Sequence, residues 1–170
     1  DGETWTSRTS GTTEWLLGVT YANSTFVVVG DAGTILTSPM GETWTPRTSG
    51  TTEWLLGVTY ANSTFVAVGE TGTILTSPDG TTWTAQTSGT SNRLWGVTYG
   101  DSTFVAVGIT GTILTSPDGT TWTSRTSGTT ELLYGVTYGD SMFVIAGRNG
   151  TILTSTDPTP TRTPTPTPTL

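Results

Sequence analysis

The chain repeats itself every 39 residues, and that period limits its fold more than any other feature. The units are residues 2–40, 41–79, 80–118 and 119–157. Twenty-three of the 39 positions hold the same residue in all four units, and the first two units differ at only five positions. A repeat of this length is one small supersecondary element. It cannot bury its apolar surface alone, so neighbouring units must cover one another.

Each unit predicts four short strands, rich in β-branched and aromatic residues and punctuated by Gly, Asn, Asp, Ser and Pro. In the first unit they fall at residues 4–9 (TWTSRT), 16–21 (LLGVTY), 25–29 (TFVVV) and 33–38 (GTILTS). The turns between them are short, which forces consecutive strands to pair antiparallel. No stretch holds a 3.6-residue apolar period, so helix is not expected. The third of these runs decides the architecture. Phe26 and Val28 point to one face of the sheet, Val27 and Val29 to the other, and both faces are apolar. A sheet covered on both faces by like sheets is a blade of a β-propeller. Gly18, Gly57, Gly96 and Gly135 recur in the innermost strand, where a missing side chain lets backbones approach closely. Trp5, Trp44, Trp83 and Trp122 are expected to pack between blades. The fold class is therefore all-β: a propeller of four four-stranded blades over residues 1–157, with residues 158–170 as an extended Thr/Pro tail.

The segments Ser77-Pro78-Asp79-Gly80-Thr81-Thr82-Trp83 and Ser116-Pro117-Asp118-Gly119-Thr120-Thr121-Trp122 resemble the Asp-box of sialidase-type (BNR) propellers. The LxGVTYgdSTFVAVGxxGTILTS pattern is similar to propeller repeats of photosynthesis assembly factors and bacterial surface proteins. The resemblance implies the propeller fold and the turn. It does not carry a catalytic role, since the spacing from Asp to Trp is one residue short and Met40 stands where Asp79 and Asp118 stand. Asp79 and Asp118 are expected to hold their own turns by accepting backbone N–H bonds.

Closure has three solutions. The chain begins with an outer strand and its last unit lacks one. Residues 4–9 are expected to pair with residues 151–155 of the same chain, so that the N-terminal strand closes the ring. Alternatively, two chains form one eight-bladed ring, or the spare strand pairs with the next subunit and builds an open chain.

The chemistry available is narrow. Histidine, cysteine and lysine are absent, and the six basic residues are all arginine. That removes thiolate and lysine nucleophiles, the commonest general base and the commonest metal ligands. Arg8, Arg47 and Arg125 are repeat equivalents spread around the ring, not a cluster. Catalysis needs unlike groups converging on one pocket, and repetition supplies like groups apart. No enzyme activity, metal or cofactor is expected. The net charge of −7 argues against nucleic acid, and no apolar run is long enough for a membrane span.

Two loops vary between units and are expected on one face, where ligands commonly bind. They place Trp15, Trp54, Trp95 and Tyr134 there, either as flat surfaces for sugars or a protein, or packed beneath their own loops. Asn23, Asn62 and Asn149 begin N-x-S/T sequons in turns. They are candidate N-glycosylation sites; Asp101 and Asp140 stand at the equivalents of Asn23 and Asn62 in the other units, so a turn that wants Asn or Asp explains those two. Thr159, Thr161, Thr163, Thr165, Thr167 and Thr169 alternate mainly with proline, a composition typical of extended O-glycosylated stalks. The sequence is read as a non-enzymatic extracellular or cell-surface structural module, a propeller bead on an O-glycosylated stalk and a candidate filament subunit. Its partners are other copies, reached through the tail or spare strand, and glycans. The alternative is a multivalent carbohydrate-binding propeller.

Overall fold

The computed structural model describes residues 2–155. The tail threonines 159–169 lie outside the described residues. Three sheets have four strands each. The first is β1 (Leu16–Ala22), β2 (Thr25–Gly30), β3 (Ile35–Ser38) and β4 (Thr45–Arg47). The second is β5 (Leu55–Ala61), β6 (Thr64–Gly69), β7 (Ile74–Ser77) and β8 (Thr84–Gln86). The third is β9 (Leu94–Gly100), β10 (Thr103–Gly108), β11 (Ile113–Ser116) and β12 (Thr123–Arg125). The fourth sheet has three: β13 (Leu133–Gly139), β14 (Met142–Gly147) and β15 (Ile152–Thr154). Strand order follows the chain within every sheet, and all pairs are antiparallel.

The two-residue hairpins between inner strands explain the Asn/Asp preference. Asn23 and Ser24 have φ of 49° and 55°, and Asn62, Ser63, Asp101, Ser102, Asp140 and Ser141 repeat that left-handed pair. Two consecutive positive φ values make a type I′ turn, whose twist matches the flanking strands and which Asn and Asp tolerate best.

The alternating pattern of the second strand is realised as a core on both sides. Val27, Val29 and Ile35 leave the back of blade one and meet Leu55, Phe65, Ala67 and Leu75 on the front of blade two. Val66, Val68 and Ile74 meet Leu94, Phe104, Ala106 and Leu114 in the same way, and Val105 and Val107 meet Leu133 and Ile145. Trp44 and Trp83 pack near Phe26 and Phe65 with ring centroids 6.4 and 6.3 Å apart, and Trp122 joins the second seam. Four blades stacked about their inner strands make a β-propeller arrangement. Near the axis the glycines let the inner strands touch: a Cβ on Gly18 would lie 3.2 Å from Leu56 O, and one on Gly96 2.9 Å from Tyr134 O.

Closure within the chain is not what the structure adopts. Residues 4–9 form no strand, β15 is the outermost strand of its sheet, and Trp5 is 90% exposed. Among the described residues each inner strand packs closely on that of the next blade in sequence, β1 on β5, β5 on β9 and β9 on β13. The blades therefore form an open arc. The front of blade one and the back of blade four are its two ends, and residues 4–9 pair with no strand of the chain.

Gly96→Ala is expected to destabilise the chain by about 1–3 kcal/mol, because the new methyl meets a backbone carbonyl that belongs to another blade. Chemical denaturation of the purified variant measures it. Gly135→Ala, with nothing within 4 Å of the added carbon inside its own chain, is the comparison that leaves the stability of the single chain near wild type.

Candidate binding face

The turns that follow each second strand and the loops that precede each first strand are tied together. Asp31 N donates to Trp15 O, Glu70 N to Trp54 O, Ile109 N to Arg93 O and Arg148 N to Leu132 O, at 2.7 to 3.0 Å. Both variable loops thus share one face of the arc. A bulge in each first strand falls at Leu17, Leu56, Trp95 and Tyr134, between the pairs Leu16 with Gly30 and Gly18 with Val29 in blade one. A bulge re-aims a side chain, which places the most variable aromatic position on this face.

The four predicted aromatics form two separate pairs, not one platform. Trp15 stands edge-on to Trp54 at 5.8 Å, and Trp95 edge-on to Tyr134 at 5.8 Å. Trp15 is exposed by 66% and Tyr134 by 46%, whereas Trp54 and Trp95 are half-buried. Sequence reasoning missed the charge beside the second pair. Arg93 lies over the Trp95 ring, its guanidinium carbon 5.1 Å from the centroid, and forms an ion pair with Glu70 of the preceding blade. Trp95 Nε1 is buried with no hydrogen-bond acceptor. Arg93 stands where two other units have Trp, and that swap from aromatic to cation is the signal that could have found it.

The two aspartates hold their turns. Asp79 Oδ1 accepts from Thr81 N at 2.8 Å and Thr82 N at 3.1 Å, and Oδ2 accepts from Thr81 Oγ1 at 2.6 Å. Asp118 Oδ1 accepts from Thr120 N and Thr121 N at 2.8 and 3.0 Å. These bonds favour the ionised form. The Thr81 hydroxyl, then the Thr81 and Thr82 amides, hold the Asp79 carboxyl well below the usual carboxylate range. For Asp118 the amides of Thr121 and Thr120 do the same. In each turn Trp Nε1 also closes on the glycine carbonyl, Trp83 on Gly80 and Trp122 on Gly119, both at 2.9 Å.

Other polar side chains are engaged likewise. Arg47 Nε, Gln86 Nε2 and Arg125 Nε each donate to a threonine hydroxyl on the neighbouring strand at 2.8 Å. Asn149, at φ 54°, donates to Glu131 Oε2 at 3.1 Å, while Asn23 and Asn62 sit at the tips of their hairpins. Grooves of about 840, 770 and 620 Å³ run where the blade connectors cross the outer strands, around Gly33, Gly111 and Gly72. None of them is lined by an Asp or Glu side chain. Among the described residues no three acidic side chains gather to hold a metal.

No protein-family model matches the sequence, and no curated protein sequence matches it. Several solved structures resemble the fold. YCF48 from Cyanidioschyzon merolae is 18% identical with a TM-score of 0.67, over 86% of this chain and 54% of that one. A structure of YCF48 bound to a D1 peptide is 19% identical with a TM-score of 0.69, over 87% and 54%. The computationally designed Ika4 protein is 14% identical with a TM-score of 0.73, over 91% and 98%. The chain spans about half the length of YCF48. At these identities the likeness is one of fold: a β-propeller built of four blades.

Folding free energy is expected to fall when Asp79 and Asp118 are both changed to Asn. The carboxylates are exposed, so solvent screening limits the loss to about 0.5 kcal/mol each at neutral pH. The native state holds these groups ionised to lower pH than the unfolded chain does. Their contribution is therefore present in full above about pH 4, the ordinary carboxylate value, and fades as pH falls below it. Melting curves from pH 7 to pH 3 should show the gap between wild type and variant closing. Met40 marks the turn that lacks the carboxylate, and Met40→Asp is expected to gain about 0.5 kcal/mol at pH 7.

Proposed function

We propose that this chain is a non-enzymatic structural module of the cell surface or extracellular space, a propeller unit on an O-glycosylated Thr/Pro stalk that associates with its own kind. One observation carries the reading: the polar groups of the repeat are committed to its turns and strands. Asp79 and Asp118 bind backbone amides, Arg47 and Arg125 bind threonine hydroxyls, and Glu70 is paired with Arg93. None of the three grooves described above is lined by an Asp or Glu side chain, which supports this reading. The sequence of residues 158–170 supplies the stalk, with six threonines on alternate positions.

A second reading, a multivalent carbohydrate-binding propeller, is favoured by the exposed edge-on Trp15–Trp54 pair. Aromatic surfaces of this kind stack on the apolar faces of sugar rings. It belongs to the same extracellular setting and differs in what the face of the arc is for.

Three measurements test these readings. Intact mass of native material is expected to exceed the 17.8 kDa polypeptide by whole sugar units mapping to residues 158–170. A mass equal to the bare chain sinks the glycosylated stalk. A panel of chromogenic glycosides is expected to show no turnover, and turnover lost on one Asp or Glu substitution would overturn the non-enzymatic reading. On a glycan array, binding abolished by Trp15→Ala would favour the second reading over the first.

A further inference from the structure

The two ends of the arc carry the two halves of one missing seam. At the back of blade four, Val144, Ala146 and Ile152 occupy the positions of Val66, Val68 and Ile74, which are buried inside the second seam. Ile152 is 71% exposed where Ile35 and Ile74 are 1%. At the front of blade one, Leu16 is 43% exposed where Leu55, Leu94 and Leu133 are fully buried, and Val19 and Tyr21 are more exposed still. The close approach near the axis is vacant as well. Gly18, Gly57 and Gly96 each meet a backbone carbonyl of the next blade, and Gly135 meets nothing within 4 Å.

The outer strand that blade four lacks is already shaped for its place. Trp5 Nε1 donates to Gly2 O at 3.1 Å, as Trp83 and Trp122 donate to Gly80 and Gly119. Ser10 Oγ donates to Thr12 O at 3.1 Å, as Ser49, Ser88 and Ser127 donate to Thr51, Thr90 and Thr129. In the complete blades that connector is seated on the turn glycine: a Cβ on Gly33, Gly72 or Gly111 would strike the carbonyl of Thr51, Thr90 or Thr129. The fourth such glycine, Gly150, has nothing within 4 Å. Donor and acceptor are both present and unjoined.

We propose that a second copy of this chain joins them. Residues 2–12 of one copy lie as the fourth strand along Ile152–Thr154 of the other, and the back of blade four of that other copy covers the front of blade one of the first. The occupant is fixed by the repeat itself, because three internal seams already show what fits each half. Extending their register sets Thr6 opposite Thr154, as Thr45 stands opposite Thr37. The position pair that holds Glu70 and Arg93 across the second seam holds Arg148 and Trp15 across this one, a cation facing an exposed ring. Two such seams in one pair cover both end faces of the described blades. Two copies of four blades make a ring of eight, within the four to eight blades propellers use and with the two-fold closure most homo-oligomers adopt.

This rests on the structural reading above only in taking the end faces as assembly surfaces. Its test is mass and connectivity, which neither tail glycosylation nor glycan binding decides. The full 170-residue chain, purified from a bacterial host, is expected to weigh twice 17.8 kDa by light scattering at micromolar concentration. Val19→Asp and Ile152→Asp alter side chains already exposed in the single chain, so each is expected to give a folded monomer with unchanged far-ultraviolet dichroism. The chain has no cysteine, so a Thr6→Cys, Thr154→Cys double variant reports the pairing directly: oxidation should yield a covalent dimer on a non-reducing gel. A wild-type chain that remains single or grows into longer polymers overturns the closed pair. So does a double variant whose disulfide forms within one chain, or a pair that survives both Asp substitutions.

Discussion

The structure depends on strands that are apolar on both faces. In β2, β6, β10 and β14 the side chains alternate between two sheets' worth of core, so no blade can be left with a bare side without exposing valine, isoleucine and phenylalanine to water. Every interior seam answers this with the same set of residues. The two end faces of these four blades do not, and Leu16, Val19 and Ile152 stand exposed there. A repeat that meets its neighbour through the same positions each time offers matching halves at its two ends, which is why the proposed self-association needs no separate surface.

The inner half of each blade was readable from sequence. The alternation of Phe26 and Val28 with Val27 and Val29, the short turns and the recurring glycine of the first strand each led to the arrangement observed. The outer half was less readable. The expected six-residue strand at 4–9 contracts to three residues in its equivalents, Thr45–Arg47, Thr84–Gln86 and Thr123–Arg125. Threonine-rich composition marks a strand but not where its ladder ends. Closure by the N-terminal strand was expected and is not found. Identical units give the same pairing energy whether the strand comes from its own chain or another, so only the curvature of the arc decides, and no single residue encodes curvature.

The candidate face shows a similar split. That the variable loops share a face followed from the antiparallel order, but the pairing of Trp15 with Trp54 and of Trp95 with Tyr134 did not. These residues come from two different repeat positions, one before the first strand and one at its bulge. A bulge leaves little trace in a sequence beyond a variable residue between two invariant ones, here Leu16 and Gly18. The Arg93–Glu70 pair was hidden for a related reason. It joins positions on successive blades, and a reading that compares each position with its own equivalents does not compare it with its neighbours across a seam.

Repetition also explains why chemistry is sparse. Holding a 39-residue blade without disulfides asks each unit to satisfy tight turns with its own side chains. The serine, aspartate and tryptophan of the turn, the arginine of the outer strand and the Ser-Gly-Thr connector do so in nearly the same way each time. What remains free to vary is the rim of the arc, where the units differ most. Asp31, Glu70, Ile109 and Arg148 occupy one rim position with four unlike side chains. Variation confined to a rim, on a scaffold whose turns are otherwise fixed, can tune which blade end meets which. Glu70 faces Arg93, and Ile109 stands where its counterpart across the seam is Leu132. Unlike charges meet at one seam and apolar residues at the next, so the rim distinguishes seams that the core treats as equivalent.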